Sequence, residues 1–184
     1  MILGLFRRSA RDATIDRLYG AIVAQAREPA FFRDHGVPDT VDGRFEMVVL
    51  HVFLVLHRLK QESEERRELG QALFDLLFAD FDRALRELGV ADTKVPKKIR
   101  EMSQAFYGRT RAYDEALASG EAQALEEALA RNVRADATAD TAALASYVRA
   151  AAADIAAIPY ATLAAGSITF PPVPKGPQPK GPLS

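Results

Sequence analysis

Apolar positions recur along most of the chain at the spacing of helix faces. Ile15, Leu18, Tyr19, Ile22, Val23 and Ala26 follow the i, i+3, i+4, i+7 rule, which predicts a first amphipathic helix ending near Pro29. A connector follows, with Phe31 and Phe32 as core plugs and Gly36, Pro38 and Gly43 as breakers. The next stretch, "RFEMVVLHVFLVLHRLK" over 44–60, is apolar on nearly every side of a helix and reads as the centre of a bundle. "KQESEERRE" is a charged turn or solvated helix end. Beyond it Leu69, Leu73, Leu76, Leu77, Phe81, Leu85 and Leu88 form one stripe, with Phe74 and Phe78 beside it and Gly89 as the stop. Pro96 suits the first turn of a fourth helix carrying Ile99, Met102, Phe106, Tyr113 and Leu117, which Gly120 breaks. Leu125, Leu129 and Val133 mark a fifth. Leu144, Tyr147, Val148, Ala151 and Ile155 mark a sixth, before Pro159. No segment alternates with period two. The expected fold is all-α, a single-domain bundle of about six to seven helices. The organisation predicted is a short apolar and basic N-terminus over 1–11, a helical domain over 12–160, and a Pro/Gly/Lys-rich extended tail over 161–184 that buries no core.

The long apolar stretch is not a membrane span, because its unbroken runs, Met47 to Leu50 and Val52 to Leu56, fall far short of the roughly 20 residues needed. His51 and His57 lie about 240° apart around a helix axis, and His35 sits in a loop, so no metal site is expected. The absence of cysteine excludes disulfides, zinc–thiolate centres and thiol nucleophiles. No glycine-rich loop joins a strand to a helix, and Asp80 and Asp82, two apart, do not face each other as a catalytic pair would. The serines have no neighbouring histidine in an activating arrangement. The reading is therefore of a non-enzyme with no cofactor and no small-molecule substrate.

Charge changes the picture in one place. The chain of 184 residues is 48% hydrophobic and 27% charged with a net charge of −1, which gives no general drive toward DNA. Glu62–Arg66, Asp82–Arg86, Arg83–Glu87 and Arg111–Glu115 have ion-pair spacing, which makes Asp114 and Glu115 helix charges rather than acid/base groups. Asp80, Arg83, Arg131 and Asn132 are expected to form a buried polar network. "KVPKKIR", however, sets Lys94, Lys97, Lys98 and Arg100 at a helix start, where the dipole disfavours cations. That basic patch is a candidate contact with a membrane surface or a ribosome.

Three blocks, "DGRFEMVVLHVFLVLHRLK", "FDLLFADFDRALRELGVADTKVPKKIREMSQAFYGRTRAYDEAL" and "ALEEALARNV", together resemble the ubiquinol-cytochrome c chaperone family, in family order and spacing from about Leu18 to Val133. The resemblance implies an all-helical chaperone; the N-terminus, apolar first and basic second and without a convincing presequence, makes a bacterial-type, cytoplasmic member the expected reading, with a peripheral seat on the inner membrane as a further candidate. It implies a client, newly made cytochrome b, on the way to the ubiquinol-cytochrome c reductase complex, and it raises a small partner protein as a candidate. Such a holder needs an apolar groove rimmed by charge. Candidate groove residues within the family-like blocks are Phe45, Leu50, His51, Leu54 and Arg58 from the second helix, with Phe106, Tyr107 and Tyr113 from the fourth. His51 has two readings, a satisfied core histidine or a polar group at the client groove. The rival functions are a general helical adaptor joining soluble proteins and an enzyme with a deep polar pocket.

Overall fold

The computed structural model describes residues 2–133 and 141–174, with side chains from residue 12 onward except that of residue 65. Eight α-helices and one 3-10 turn make up the described regular structure, with no strand among the described residues. The helices are α1 (Ile2–Ala26), α2 (Pro29–Asp34), α3 (Val41–Leu59), α4 (Glu68–Glu87), α5 (Val95–Ser119), α6 (Ala122–Val133), α7 (Ala142–Ala157) and α8 (Tyr160–Ala164). The all-α expectation holds, and six of the helices are the six predicted. The other two, α2 and α8, are short, and each starts at or just after a proline read in sequence as a terminator. Pro29 instead opens α2, where its missing N–H costs nothing, and Pro159 sits immediately before α8.

Helix α3 is the axis of the bundle. α1, α4, α5, α6 and α7 all touch it, and Met47 through Val55 are buried without a break. A helix with no polar face requires neighbours on every side, and between Met47 and Val55 this one has them; its last turn, at Leu56, His57 and Arg58, is less covered. It starts three residues earlier than expected because Thr40 caps it, its hydroxyl accepting from the Gly43 N–H at 3.1 Å. Gly43 is thus no breaker: a Cβ there would lie 2.0 Å from the Pro38 carbonyl oxygen, so only glycine lets the chain turn so close into the helix. The stops at Gly89 and Gly120 are as predicted, both at positive φ of 78° and 70°.

The C-terminal segment departs from expectation. Leu163 is fully buried, and Ile168, Phe170 and Val173 pack on the core. Arg17 donates to the Ala165 carbonyl at 3.2 Å, Gln25 to that of Pro171 at 3.4 Å, and His35 Nε2 to that of Pro174 at 2.7 Å. Gly166, at φ 78°, lies so near α1 that a Cβ would meet the Thr14 carbonyl oxygen at 2.7 Å. Residues 161–174 are therefore a strap over α1, α2 and α3 rather than a tail that buries nothing. The backbone carbonyls of Ala165, Pro171 and Pro174 serve as its acceptors. Residues 175–184, the remainder of the expected tail, lie outside the described residues. At the other end, the backbone of α1 runs helical from Ile2, through the segment expected to stand apart from the domain.

Candidate functional site

An open cleft of about 640 Å³ lies between the C-terminal half of α3, the start of α4 and the middle of α5. Its floor is apolar: Phe53 and Leu56 from α3, Gly70 and Phe74 from α4, Phe106 from α5. Phe74 meets Phe106 edge-on at 5.4 Å between ring centres and Tyr107 at 5.8 Å, so the aromatic wall is continuous across two helices. Tyr107 is 60% exposed, an unusual state for a large ring. One polar rim closes the cleft. Asp114 accepts from His57 Nδ1 at 2.6 Å and from Lys60 Nζ at 2.5 Å, and Thr110, Arg111 and Gln71 complete the edge. Partial burial works against the Asp114 carboxylate, yet the hydrogen bonds from Lys60 and His57 prevail and hold its pKa below the ordinary value.

Behind the cleft lies a second polar group. Glu46 on α3 accepts from Arg109 Nη2 on α5 at 2.5 Å, and both are largely withdrawn from water. Burial pushes the Glu46 carboxyl up to about 7, against the pull of Arg109. Glu46 Oε2 and Arg109 Nε are both buried there without a hydrogen-bond partner among the described residues. Burial, and then the Glu46 charge, raise the Tyr113 phenol above its ordinary pKa. Tyr113 rests on Phe53 at 5.4 Å, which connects this interior cluster to the cleft floor.

The predicted groove residues do not stay together. Only Phe106 and Tyr107 line the cleft. Leu50, Leu54, Tyr113 and His51 are interior, at 0–1% exposure, and cannot present a surface in this conformation. Phe45 stacks on Phe81 at 4.3 Å in a smaller depression of about 210 Å³ on another face, beside exposed Val41 and Leu88. Arg58 pairs with Glu62 at 2.6 Å and donates to the Ile158 carbonyl at 3.2 Å, fastening α3 to the corner between α7 and α8. Leu50, His51 and Leu54 are interior because α3 is covered on the faces they occupy; Tyr113 is buried from α5, and Phe45 and Arg58 lie at other places on the molecule.

His51 takes its core reading. Its Nδ1–H donates to the Met47 carbonyl at 2.7 Å, which leaves Nε2 to accept from the Tyr147 hydroxyl at 2.9 Å; Gln25 donates to that hydroxyl at 3.0 Å. Burial drives the ring down to about 4, outweighing the Met47 bond, so it is neutral at physiological pH. The four-residue polar network is not formed. Asp80 pairs with Arg83 and accepts from Tyr19 at 2.9 Å, while Arg131 is 62% exposed and Asn132 bonds the Ala128 carbonyl. Arg83 turns to Asp80 instead of Glu87; the other three ion pairs form as spaced. Lys94, Lys97, Lys98 and Arg100 are all exposed on the first turns of α5. Among the described residues no cluster of three metal-ligating side chains occurs, and no helix is long and apolar enough to cross a membrane.

Sequence reasoning missed His57, Lys60, Gly70, Gln71, Phe74 and Asp114 as cleft residues. Phe74 did carry a signal, since it lies off the main stripe of α4 and so has no place in the contact that the stripe makes. Nothing local marks Asp114, whose partners are 54 and 57 positions away.

The same chain can be set beside known proteins. The profile of the family described as ubiquinol-cytochrome c chaperone matches residues 33–170. The ubiquinol-cytochrome-c reductase complex assembly factor 1 of Xenopus laevis is 27% identical over 117 residues, 64% of this chain and 58% of that one. The human protein of the same description is 28% identical over 103 residues, 56% of this chain and 34% of its own length. This chain thus spans little more than half of one relative and a third of the other. The crystal structure of the Cbp3 homolog from Brucella abortus superposes with a TM-score of 0.84 at 44% identity, covering 94% of this chain and 98% of that one. The chain belongs to the ubiquinol-cytochrome c chaperone family, a family of assembly chaperones and not of enzymes.

Proposed function

We propose that this member of the ubiquinol-cytochrome c chaperone family is an assembly factor for ubiquinol-cytochrome c reductase. In this reading it holds newly made cytochrome b by an apolar segment laid into the cleft between α3, α4 and α5. The observation that carries the reading is family membership joined to a cleft of the right chemistry. An unassembled membrane subunit exposes apolar helix surface, which water penalises by about 25 cal/mol per Å². A floor of Phe53, Leu56, Phe74 and Phe106 offers that surface a dry face, and the rim of Lys60, Asp114 and Arg111 keeps the empty cleft solvated.

Release needs no nucleotide. A client helix leaves when its permanent neighbours in the complex cover more of it than the cleft does, a difference of affinities that assembly itself supplies. The open form of the cleft suits such a hand-over, because an extended client can be peeled from one end. A small partner protein is compatible with the second depression around Phe45, Val41 and Leu88, which shares no lining residue with the cleft.

The test is genetic and biochemical. Deleting the gene lowers the ubiquinol-cytochrome c reductase complex and destabilises cytochrome b after translation, with its transcript and the other respiratory complexes unchanged. Normal levels of the complex would refute the reading. Soluble partners on pull-down without cytochrome b would favour the adaptor function instead.

A further inference from the structure

We infer that His57 presents a hydrogen-bond acceptor to the cleft and selects a client segment that brings an aromatic donor, a tyrosine hydroxyl or a tryptophan N–H, onto the cleft floor. The inference rests on the client role proposed for the cleft and adds the chemistry that tells one apolar segment from another. Asp114 fixes the histidine ring. Its carboxylate is held ionised and can only accept, so the 2.6 Å bond puts a hydrogen on His57 Nδ1. In the neutral imidazole Nε2 is then a lone-pair acceptor, and it has no partner among the described residues. The side chain lines the cleft and is 27% exposed, so this nitrogen is the polar atom that an incoming segment meets.

The floor beside it is apolar, made by Phe53, Leu56, Phe74 and Phe106. A wholly apolar client would cover Nε2 without pairing it, and a buried acceptor left unpaired works against binding. A client that supplies one donor removes the penalty, so the same atom acts as a filter. The surroundings decide which donor. A lysine or arginine would meet Lys60 and Arg111 on the same rim. A serine or threonine hydroxyl on a helix turns back to its own carbonyl four residues earlier, and it offers the floor no ring. Tyrosine and tryptophan join an apolar ring to a donor at its edge, and such rings pack edge-on or offset against others. The Phe53 ring centre is 5.6 Å from that of His57, so a ring laid against Phe53 carries its edge donor within reach of the imidazole. Phe74 and Phe106, edge-on to each other, extend the surface on which that ring rests.

The chain has neither tryptophan nor cysteine, so a tryptophan in a ligand and a label on one introduced cysteine are both unambiguous. The probe is a helical peptide of about 20 residues built from Leu, Ala, Lys and Glu, with Trp at the centre of its apolar face. Two companions carry Tyr or Phe there instead. Binding to the full chain is read from the blue shift of the tryptophan emission. A nitroxide on Gln71→Cys, at the cleft wall, quenches that emission, and one on Ser146→Cys, on α7, does not. The Tyr peptide displaces the Trp peptide roughly 3- to 10-fold more effectively than the Phe peptide does. His57→Leu abolishes this preference, with circular dichroism and melting confirming its fold. The Tyr and Phe peptides meet the same unaltered protein, so their comparison stands whatever the variant does. Equal displacement by the two, or a preference that survives in folded His57→Leu, would overturn the inference and leave the cleft reading standing. No binding by any of the three peptides, or quenching from Ser146 as strong as from Gln71, would remove the cleft reading and the inference together.

Discussion

His51 and His57 stand six positions apart on the same helix and live in opposite surroundings. His51 faces α7 and the strap: it is fully buried, both ring nitrogens are committed, and Phe170 closes over it edge-on at 5.3 Å. His57 faces the cleft, half-buried, with Asp114 on one side and open space on the other. The chain thus seals one flank of its central helix with its own C-terminal segment and leaves the other uncovered. The lesson is that apolar character alone does not mark a binding surface. What distinguishes the two flanks is whether the chain supplies its own cover.

The sharpest way to break this contrast is to remove the sealed histidine. His51→Ala leaves a void among Phe31, Phe170 and Tyr147 and takes a partner from the Tyr147 hydroxyl. The expected loss is about 3–4 kcal/mol of stability, read by denaturant unfolding. A cost below ~1 kcal/mol would mean that this flank is not the packed one.

Acid probes the same flank more gently. Burial holds the His51 ring at about 4, below its ordinary 6.5, so the unfolded chain binds the proton more readily. Stability from this group is complete above pH 6.5 and falls by roughly 1.4 kcal/mol per pH unit down to pH 4. Glu46 has the opposite sign. Its folded value of about 7 exceeds the ordinary 4.5, so the fold gains stability as pH drops from 7 to 4.5. The two slopes nearly cancel between pH 6.5 and 4.5, giving a flat profile for the natural chain. Glu46→Gln removes the gain and exposes the His51 decline, so unfolding midpoints of that variant slope downward with acid through this window. A parallel pair of profiles would contradict the assignment.

On the open flank the effects on folding shrink. Lys60→Met discards a bond between an exposed ammonium and Asp114, which costs under about 1 kcal/mol. Thermal melting checks it. Titration of Asp114 followed by NMR should move upward toward the ordinary carboxylate value as it loses that donor.

How much of this was legible in the residues differs by flank too. The stripe of α4 and the stops at Gly89 and Gly120 were readable because local periodicity and a positive φ leave local marks. The resemblance to the family was readable from three blocks of the chain. The cleft was not, because α3 is apolar all round and periodicity cannot say which side its neighbours leave bare. Leu50 and Leu54 were placed in the groove for that reason, while Phe53 and Leu56, no more apolar, are the ones that line it. The strap was hidden for another reason. Its anchors are carbonyls of Ala165, Pro171 and Pro174 accepting from α1 and the loop after α2, and composition reports side chains, not acceptors. Glu46 and Arg109 are 63 positions apart, and only the fold makes them a pair.

Site-specific photo-crosslinking in living cells separates the two flanks most directly. A crosslinking residue is placed at Gln71, exposed on the cleft wall, and in a second strain at Ser146, exposed on α7. The account predicts an adduct with newly made cytochrome b from Gln71 and none from Ser146. Adducts of equal yield from both positions, or from Ser146 alone, would show that the uncovered flank is not where the client lies.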